Sequence, residues 1–234
     1  MASTVSVVVP YYDPDATNAW MLQELVESLL VQTTLPHEIV ISSVHDVSNL
    51  TELARLVNEK FPIRTVKSSA KNAPENINFA VSQSSGEIVK LLFHDDLLAH
   101  PEALSNSVTA LENTGFTWVV SASQNFNSDK ELKYVPNLPK FPLLMALGEN
   151  RLGAPSAATF YRLHYVPMNG DFAFLYDCDW YLSMREANGS PALLTTNDVG
   201  IRIHGGQATN SVKSLRWSEA GKVLVRHPWS IFGR

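Results

Sequence analysis

The chain has 234 residues, 45% of them hydrophobic, and is therefore long enough to bury the core of one large α/β domain. Its 23 acidic and 18 basic residues give a net charge of −5, which argues against a general nucleic-acid-binding protein. A single cysteine, Cys178, excludes an internal disulfide and a cysteine-based zinc site. No apolar stretch reaches the length of a membrane span and no secretory signal pattern is present, so we expect a cytoplasmic protein.

The first half of the sequence alternates strand-like and helix-like segments. Runs of apolar, often β-branched residues predict strands at 5–9, 38–42, 63–67, 89–93 and 117–123. Apolar residues at helical spacing predict helices within 22–30, 50–57, 74–81 and 101–114. This alternation indicates a single mostly parallel sheet flanked by helices on both faces.

After about residue 125 the regular alternation stops. A loop-rich stretch with three prolines is followed by a strand-like segment at 157–161 and a helical one at 179–187. Two short strands are predicted at 192–196 and 199–203, and the tail at 211–234 is polar and mixed. No repeat or long linker is present, so we predict one domain over 1–234 with two halves, 1–124 and 125–210, and that tail.

Acidic residues follow several of the predicted strands. They are Asp13 and Asp15 after the first strand, Asp46 after the second, and the pair Asp95 and Asp96 after the fourth. Ligands of open α/β sheets bind beyond the carboxyl ends of the strands, where adjacent carboxylates can hold a hard cation and, through it, a phosphate. The same aspartates could instead cap the helices that follow them. The spacing alone does not choose between these two roles.

Three common nucleotide and hydrolase motifs are missing from the sequence. No Gly-x-Gly-x-x-Gly follows the first strand, and neither a P-loop nor a Gly-x-Ser-x-Gly occurs anywhere. A dinucleotide-binding enzyme, a P-loop NTPase and an α/β-hydrolase are therefore disfavoured.

The opening strand and its continuation Pro10-Tyr11-Tyr12-Asp13 resemble the start of the family 2 glycosyltransferases. These are inverting, nucleotide-sugar-dependent enzymes with the A-type glycosyltransferase fold, and the resemblance covers about residues 4–210. It implies that Pro10 and Tyr12 lie near the nucleotide base and that Asp13 replaces the family's Asn. It also implies that Asp46, within Val-His-Asp-Val-Ser, accepts the uracil N–H.

Two further segments resemble donor-binding motifs of the same family. Asn78, eight residues before Gly86, falls where the family places an Asn that serves the nucleotide, whereas Ile77 stands where Arg is frequent. The sequence His94-Asp95-Asp96 is similar to the Asp-x-Asp metal motif. The resemblance implies that Asp96 binds manganese or magnesium, that Asp95 contacts the ribose or the same ion, and that His94 shapes this nucleotide-binding loop.

The catalytic motif is matched later in the chain. Asp179, six residues before Arg185, falls at the family's catalytic base, although the preceding Glu is replaced by Cys178. The segment Ile-Arg-Ile-His ending at His204 resembles a late Arg-x-His element. By that resemblance His204 completes the metal site or contacts the diphosphate.

The resemblance implies a metal-dependent transferase of polysaccharide biosynthesis that moves a sugar from a nucleotide donor, expected to be UDP-linked, to a hydroxyl of a saccharide or other glycan-assembly acceptor. Residues 1–124 would bind the donor, and 125–210 would bind the acceptor and supply the base. A non-catalytic nucleotide- or glycan-binding relative is one alternative, because Ile77 and Cys178 depart from the family. A sugar nucleotidyltransferase is another, but the loop at 9–14 lacks its Gly-rich, basic character.

The acceptor could be a lipid-linked saccharide, in which case any membrane contact would be peripheral. The aromatic segment at 229–232 could then sit on a membrane surface, or it could equally pack onto the domain.

Overall fold

A computed structural model describes residues 3–13, 17–45, 60–127, 132–205, 207 and 212–230. The strands are β1 (Val5–Tyr11), β2 (Glu38–Ser43), β3 (Ile63–Lys67), β4 (Ile88–Leu91), β5 (Leu97–Leu98), β6 (Trp118–Phe126), β7 (Leu132–Asn137), β8 (Ala158–Tyr161) and β9 (Ala192–Arg202). The helices are α1 (Ala19–Leu30), α2 (Ala73–Gln83), α3 (Ala103–Thr114), α4 (Tyr176–Asn188) and α5 (Arg216–Arg226).

All nine strands form one sheet in the order β3-β2-β1-β4-β8-β6-β9-β5, with β7 paired to β6. Strands β1 to β4 are mutually parallel, and β6 and β9 are parallel to each other. Strand β8 runs antiparallel to both β4 and β6 and so joins the two parallel groups. Because β1, β2 and β4 are parallel neighbours, the loops that follow them meet at one edge of the sheet.

The two faces of the sheet bury separate hydrophobic clusters. Strand β1 is buried along its whole length, so both of its faces must be apolar. Val7 and Val9 pack with α1 residues such as Leu22, whereas Val8 faces the cluster that contains Phe160 and Trp180. This alternation follows from the two-residue period of a strand. The helices therefore fix the sheet from both sides, as the sequence predicted.

The second half differs from the sequence prediction: the stretch expected to be loop-rich contains β7, and β9 and the tail also differ. The two short strands expected after residue 191 are one strand, β9, whose register against β6 shifts around Ala122 and Ser123. The tail contains α5, which the sequence pattern did not predict because it buries only a narrow stripe that includes Ala220 and Val223. The helix predicted within 50–57 lies outside the described residues.

Among the residues described, no helix combines the length and apolarity needed to cross a membrane.

Candidate active site

One end of the candidate site is formed where β1 and β2 end. Tyr12 follows β1, is 62% exposed, and holds its ring 5.5 Å from that of His45. The His94 ring contacts Tyr11 edge-on at 5.2 Å and hydrogen-bonds to the Pro10 backbone. Burial lowers the pKa of His94 even though aspartates lie nearby. Exposed and partly buried rings at this edge offer a surface on which a planar base can stack.

Asp13 is part of the loop that leads into α1. Its carboxylate accepts hydrogen bonds from the Tyr11 hydroxyl at 3.0 Å and from the backbone N–H of Thr17 and Asn18 at 3.2 and 2.8 Å. These bonds hold the backbone just before α1, which begins at Ala19 and has no side-chain cap hydrogen bond at its N-cap residue Asn18. Asp13 is only 5% exposed, so it fixes the loop that presents Tyr12.

The two carboxylates of the predicted metal motif point in different directions, Asp95 outward and Asp96 into the protein. Asp95 Oδ2 lies 2.9 Å from His204 Nε2, and the two side chains are 16% and 15% exposed. Burial opposes ionisation of Asp95, but the hydrogen bond to His204 and the neighbouring His94 outweigh it and lower its pKa. An ionised carboxylate and an imidazole nitrogen at this separation are a donor pair that a divalent cation can bridge.

Asp96 points the other way, into the protein. It is 3% exposed, and its oxygens accept hydrogen bonds from Ser156 Oγ at 2.5 Å and from the Arg202 backbone N–H at 3.2 Å. Burial, followed by the charge of Asp95, raises the pKa of Asp96 well above its usual range. The geometry therefore favours Asp95 over Asp96 as a metal ligand.

Arg202 ties the metal motif to the segment that carries His204. Its fully buried side chain donates to the Asp95 carbonyl at 3.0 Å and to Glu24 of α1 at 2.5 Å. The guanidinium is stacked between Trp20 and Phe126, 4.8 and 4.5 Å from their ring centres. The sequence contained this residue within the Arg-x-His element but gave no sign of its partners, which are distant along the chain.

Lys90 is a second buried cation beside the metal motif. It is 1% exposed and donates to the Ser156 carbonyl at 2.6 Å, so it holds the residue that binds Asp96. Burial lowers its pKa to about 8, opposed by the charges of Asp198 and Asp96. A lysine inside an apolar strand was the available sequence signal for this contact, since lysine is almost never fully buried without a partner.

Asp177, a carboxylate outside the predicted metal motif, lies in the first turn of α4. Asn150 donates to its Oδ2 at 2.7 Å, and the Cys178 backbone N–H donates to its Oδ1 at 2.7 Å. Burial raises the pKa of Asp177. Burial also raises the pKa of Tyr176, and the nearby charges of Asp177 and of the Asp95–Asp96 pair contribute.

Asp177 also lines a cavity of about 150 Å³. The lining residues are Gly148, Asn150, Ala173, Phe174, Leu175, Tyr176, Asp177, Cys178 and Val212.

Asp179, the residue predicted to be the catalytic base, is enclosed between α4 and the end of α5. It is 1% exposed, and its Oδ1 accepts from Arg226 Nε at 2.8 Å and pairs with His227 Nε2 at 3.0 Å. His227 also lies 2.9 Å from Glu186 through its Nδ1. Burial disfavours a charged His227, but the bonds to Asp179 and Glu186 outweigh it and raise its pKa. The contacts of Asp179 thus connect two helices.

The remaining predicted residues are placed as follows. Asn78 donates to the Met168 carbonyl at 2.8 Å and accepts from the Met168 N–H and the Tyr165 hydroxyl at 2.8 and 2.6 Å, so it joins α2 to the second half of the chain. Ile77 is fully buried in the core. Asp46 lies outside the described residues. Within the described part of the chain no cluster of three or more His, Cys, Asp or Glu residues suited to a metal is found.

Glu219 was not singled out in the sequence. It is 4% exposed, and its carboxylate accepts from the backbone N–H groups of Ala173, Phe174 and Leu175 at 2.8–2.9 Å. Helix α5 thereby fixes the segment that leads into Asp177.

Comparison with solved structures supports the architecture. The UDP complex of S. aureus TarS residues 1–349 superposes with a TM-score of 0.72 at 13% identity and covers 97% of this chain and 65% of that chain. The mannosyltransferase PcManGT from Pyrobaculum calidifontis, in complex with GDP-Man and Mn²⁺, gives 0.59 at 16% identity, with 99% and 72% coverage.

A third similar structure is glucosyl-3-phosphoglycerate synthase from Mycobacterium tuberculosis with Mn²⁺, UDP and glucosyl-3-phosphoglycerate. It gives a TM-score of 0.61 at 18% identity and covers 97% of this chain and 80% of that chain. No curated protein sequence matches the chain. The present chain spans slightly less than two thirds of the TarS fragment.

The sheet topology and these superpositions define an A-type glycosyltransferase fold. The sequence model of glycosyl transferase family 2 matches residues 6–182, which is most of the chain. This chain belongs to glycosyl transferase family 2, as its motifs predicted.

Proposed function

We propose that this chain transfers a sugar, with inversion, from a nucleoside diphosphate sugar to a hydroxyl group of a saccharide or other glycan-assembly acceptor. The observation that carries the proposal is the pair Asp95–His204, 2.9 Å apart at the sheet edge where β1, β2 and β4 end. Family membership supports the reaction class, and UDP, present in two of the three compared complexes, is the donor nucleotide we favour.

The donor side is built from the loops after β1, β2 and β4. Tyr12 and His45 provide the stacking surface for the base, and Asp46 is the group we assign to the base N–H. Asp95 and His204 would hold a manganese or magnesium ion, whose remaining ligands would be diphosphate oxygens and water. Such an ion would neutralise the departing diphosphate. The Mn²⁺ in two of the similar structures supports this choice of cofactor.

We assign the catalytic base to Asp177 in place of Asp179. Asp177 lines a cavity, and burial raises its pKa, which makes the carboxylate a stronger base. Asp177 would accept the acceptor hydroxyl proton as that oxygen bonds to the anomeric carbon, while the bond from this carbon to the diphosphate oxygen breaks on the opposite face. The charges of both Asp177 and Asp95 act on Tyr176, so this tyrosine lies near each of the two groups.

The test is release of nucleoside diphosphate from UDP- and GDP-sugars by the full chain with Mn²⁺. We expect turnover of at least one donor, slow hydrolysis without an acceptor, and loss of turnover when the metal is chelated. Absence of turnover for every donor, with the protein folded and a saccharide acceptor panel supplied, would favour a non-catalytic binding protein.

A further inference from the structure

Helix α5 has one face that packs into the domain and one that the domain leaves in solvent. Glu219, Ala220 and Val223 are buried, whereas Trp217 and Val225 are 72% and 81% exposed. At about 100° per residue, the two exposed apolar residues lie on the same side of the helix, opposite the buried ones. A large aromatic and an aliphatic side chain are thus displayed outward on one helix.

Gly221 lies between these two residues on the outward face. A Cβ atom at this position would meet no other atom within 4 Å. Packing within the domain therefore gives no reason for a glycine that costs helix stability, by about 1 kcal/mol relative to alanine. Because Gly221 has no side chain, the outward face of α5 has a shallow depression between Trp217 and Val225.

The C-terminal segment that contains α5 carries a positive net charge, whereas the net charge of the whole chain is negative. Residues 212–230 contain four lysines and arginines and a single carboxylate, Glu219, while the whole chain has a net charge of −5. Glu219 is buried and is used by backbone N–H groups, so it does not offset the cations at the surface. Lys213 and Lys222 are exposed, and Arg226 is 45% exposed while it pairs with Asp179.

A cleft of about 680 Å³ opens beside the same face, between α5 and the segment 169–172. Its lining from the helix includes Gly221, Lys222 and Val225. Asp171 is the one carboxylate among the residues that line this cleft. The cleft and the exposed face of α5 therefore lie on the same side of the molecule.

We infer that α5 docks its outward face onto an anionic lipid surface. Exposed tryptophan with aliphatic neighbours and flanking lysines is the composition of helices that lie in the headgroup region of a bilayer. Lysine side chains that extend into solvent suit mobile anionic headgroups, each cation adding to the attraction. The inference is independent of the proposed transferase activity, and its test uses vesicle binding alone.

The test is flotation of the full chain with phosphatidylcholine vesicles, with and without phosphatidylglycerol. The protein floats with the anionic vesicles only, and binding falls as salt is raised because the attraction is screened. Replacing both Lys213→Gln and Lys222→Gln lowers the partition coefficient by roughly 25-fold, at about fivefold per cation. Trp217→Ser lowers it as well, while the thermal midpoint of each variant stays near that of the wild type.

Two sets of control variants make the test specific. Lys60→Gln with Lys67→Gln removes the same charge from exposed positions elsewhere, and Leu163→Ser removes an apolar side chain that is 90% exposed. We expect both controls to bind like the wild type.

Three results would overturn the inference. They are no flotation of the wild type with anionic vesicles, an equal loss of binding in the lysine controls, and a fall in the molecular mass in solution on Trp217→Ser. The last result would assign this face to contact between two copies of the chain.

Discussion

The adjacent carboxylates Asp177 and Asp179 are expected to respond in opposite ways to the same substitution. Asp179→Asn removes the charge that faces His227 and Arg226, both bonded to one buried oxygen at 3.0 and 2.8 Å. Because hydrogen bonds to charged groups contribute 1.5–3 kcal/mol and Arg226 is partly exposed, we expect a loss of about 2 kcal/mol in the free energy of unfolding. For a chain of this size that corresponds to a fall in Tm of roughly 5 °C.

Asp177→Asn should change stability by less than about 1 kcal/mol. Burial raises the pKa of Asp177, so a neutral amide removes the cost of a buried charge, and this gain offsets the loss of one of the two hydrogen bonds that the carboxylate accepts. Loss of the base should lower kcat/KM for transfer by roughly 10²- to 10⁴-fold. Asp179→Asn should change it less than about tenfold when assayed well below its Tm.

The assay is nucleoside diphosphate release at fixed donor and acceptor, paired with thermal unfolding of both variants. A stable, folded Asp179→Asn protein without activity, together with an active Asp177→Asn protein, would assign the base to Asp179 instead of Asp177.

Three further predictions concern the scaffold. Gly86→Ala should destabilise the protein by at least about 2 kcal/mol in denaturant unfolding, because the new Cβ would lie 2.7 Å from the Ser6 backbone nitrogen. Gly221→Ala should stabilise it by about 1 kcal/mol in the same measurement, since the methyl group meets no neighbour. His227 has a raised pKa, so its contribution to stability is complete below its unfolded value of 6.5 and is lost as the pH rises through its higher folded value. Thermal midpoints should therefore decline across that window in the wild type, and His227→Gln should flatten the decline; an unchanged slope would contradict the pairing with Asp179.

The first half of the fold was predictable because its signals are local. Strands such as β1 and β4 are continuous apolar runs, and the helix before Gly115 is marked by its left-handed C-terminal glycine, with φ of 73°. Helix α5 was not predicted because its stability rests on Glu219 and a few small contacts, whose partners at 173–175 are distant in sequence.

The sequence predicted which residues would come together at the candidate site, but not which way their side chains point. The sequence brought Asp95, Asp96 and His204 together through a family motif, yet which carboxylate faces the open edge depends on Ser156 and Arg202. These contacts form where residues at the start of β8 and the end of β9 pack against the loop after β4. Because the partners are distant along the chain, no local sequence pattern predicts them. For the same reason the sequence could not separate the environments of Asp177 and Asp179.

In the proposed function, Asp95 and His204 hold a cation that binds a nucleoside diphosphate. The decisive measurement is isothermal titration calorimetry of UDP with Mn²⁺ on the wild type, Asp95→Asn and Asp96→Asn. We predict binding that requires Mn²⁺, is lost in Asp95→Asn and persists in Asp96→Asn, whose carboxylate is turned inward. UDP binding that is unchanged both without Mn²⁺ and in Asp95→Asn would contradict this assignment.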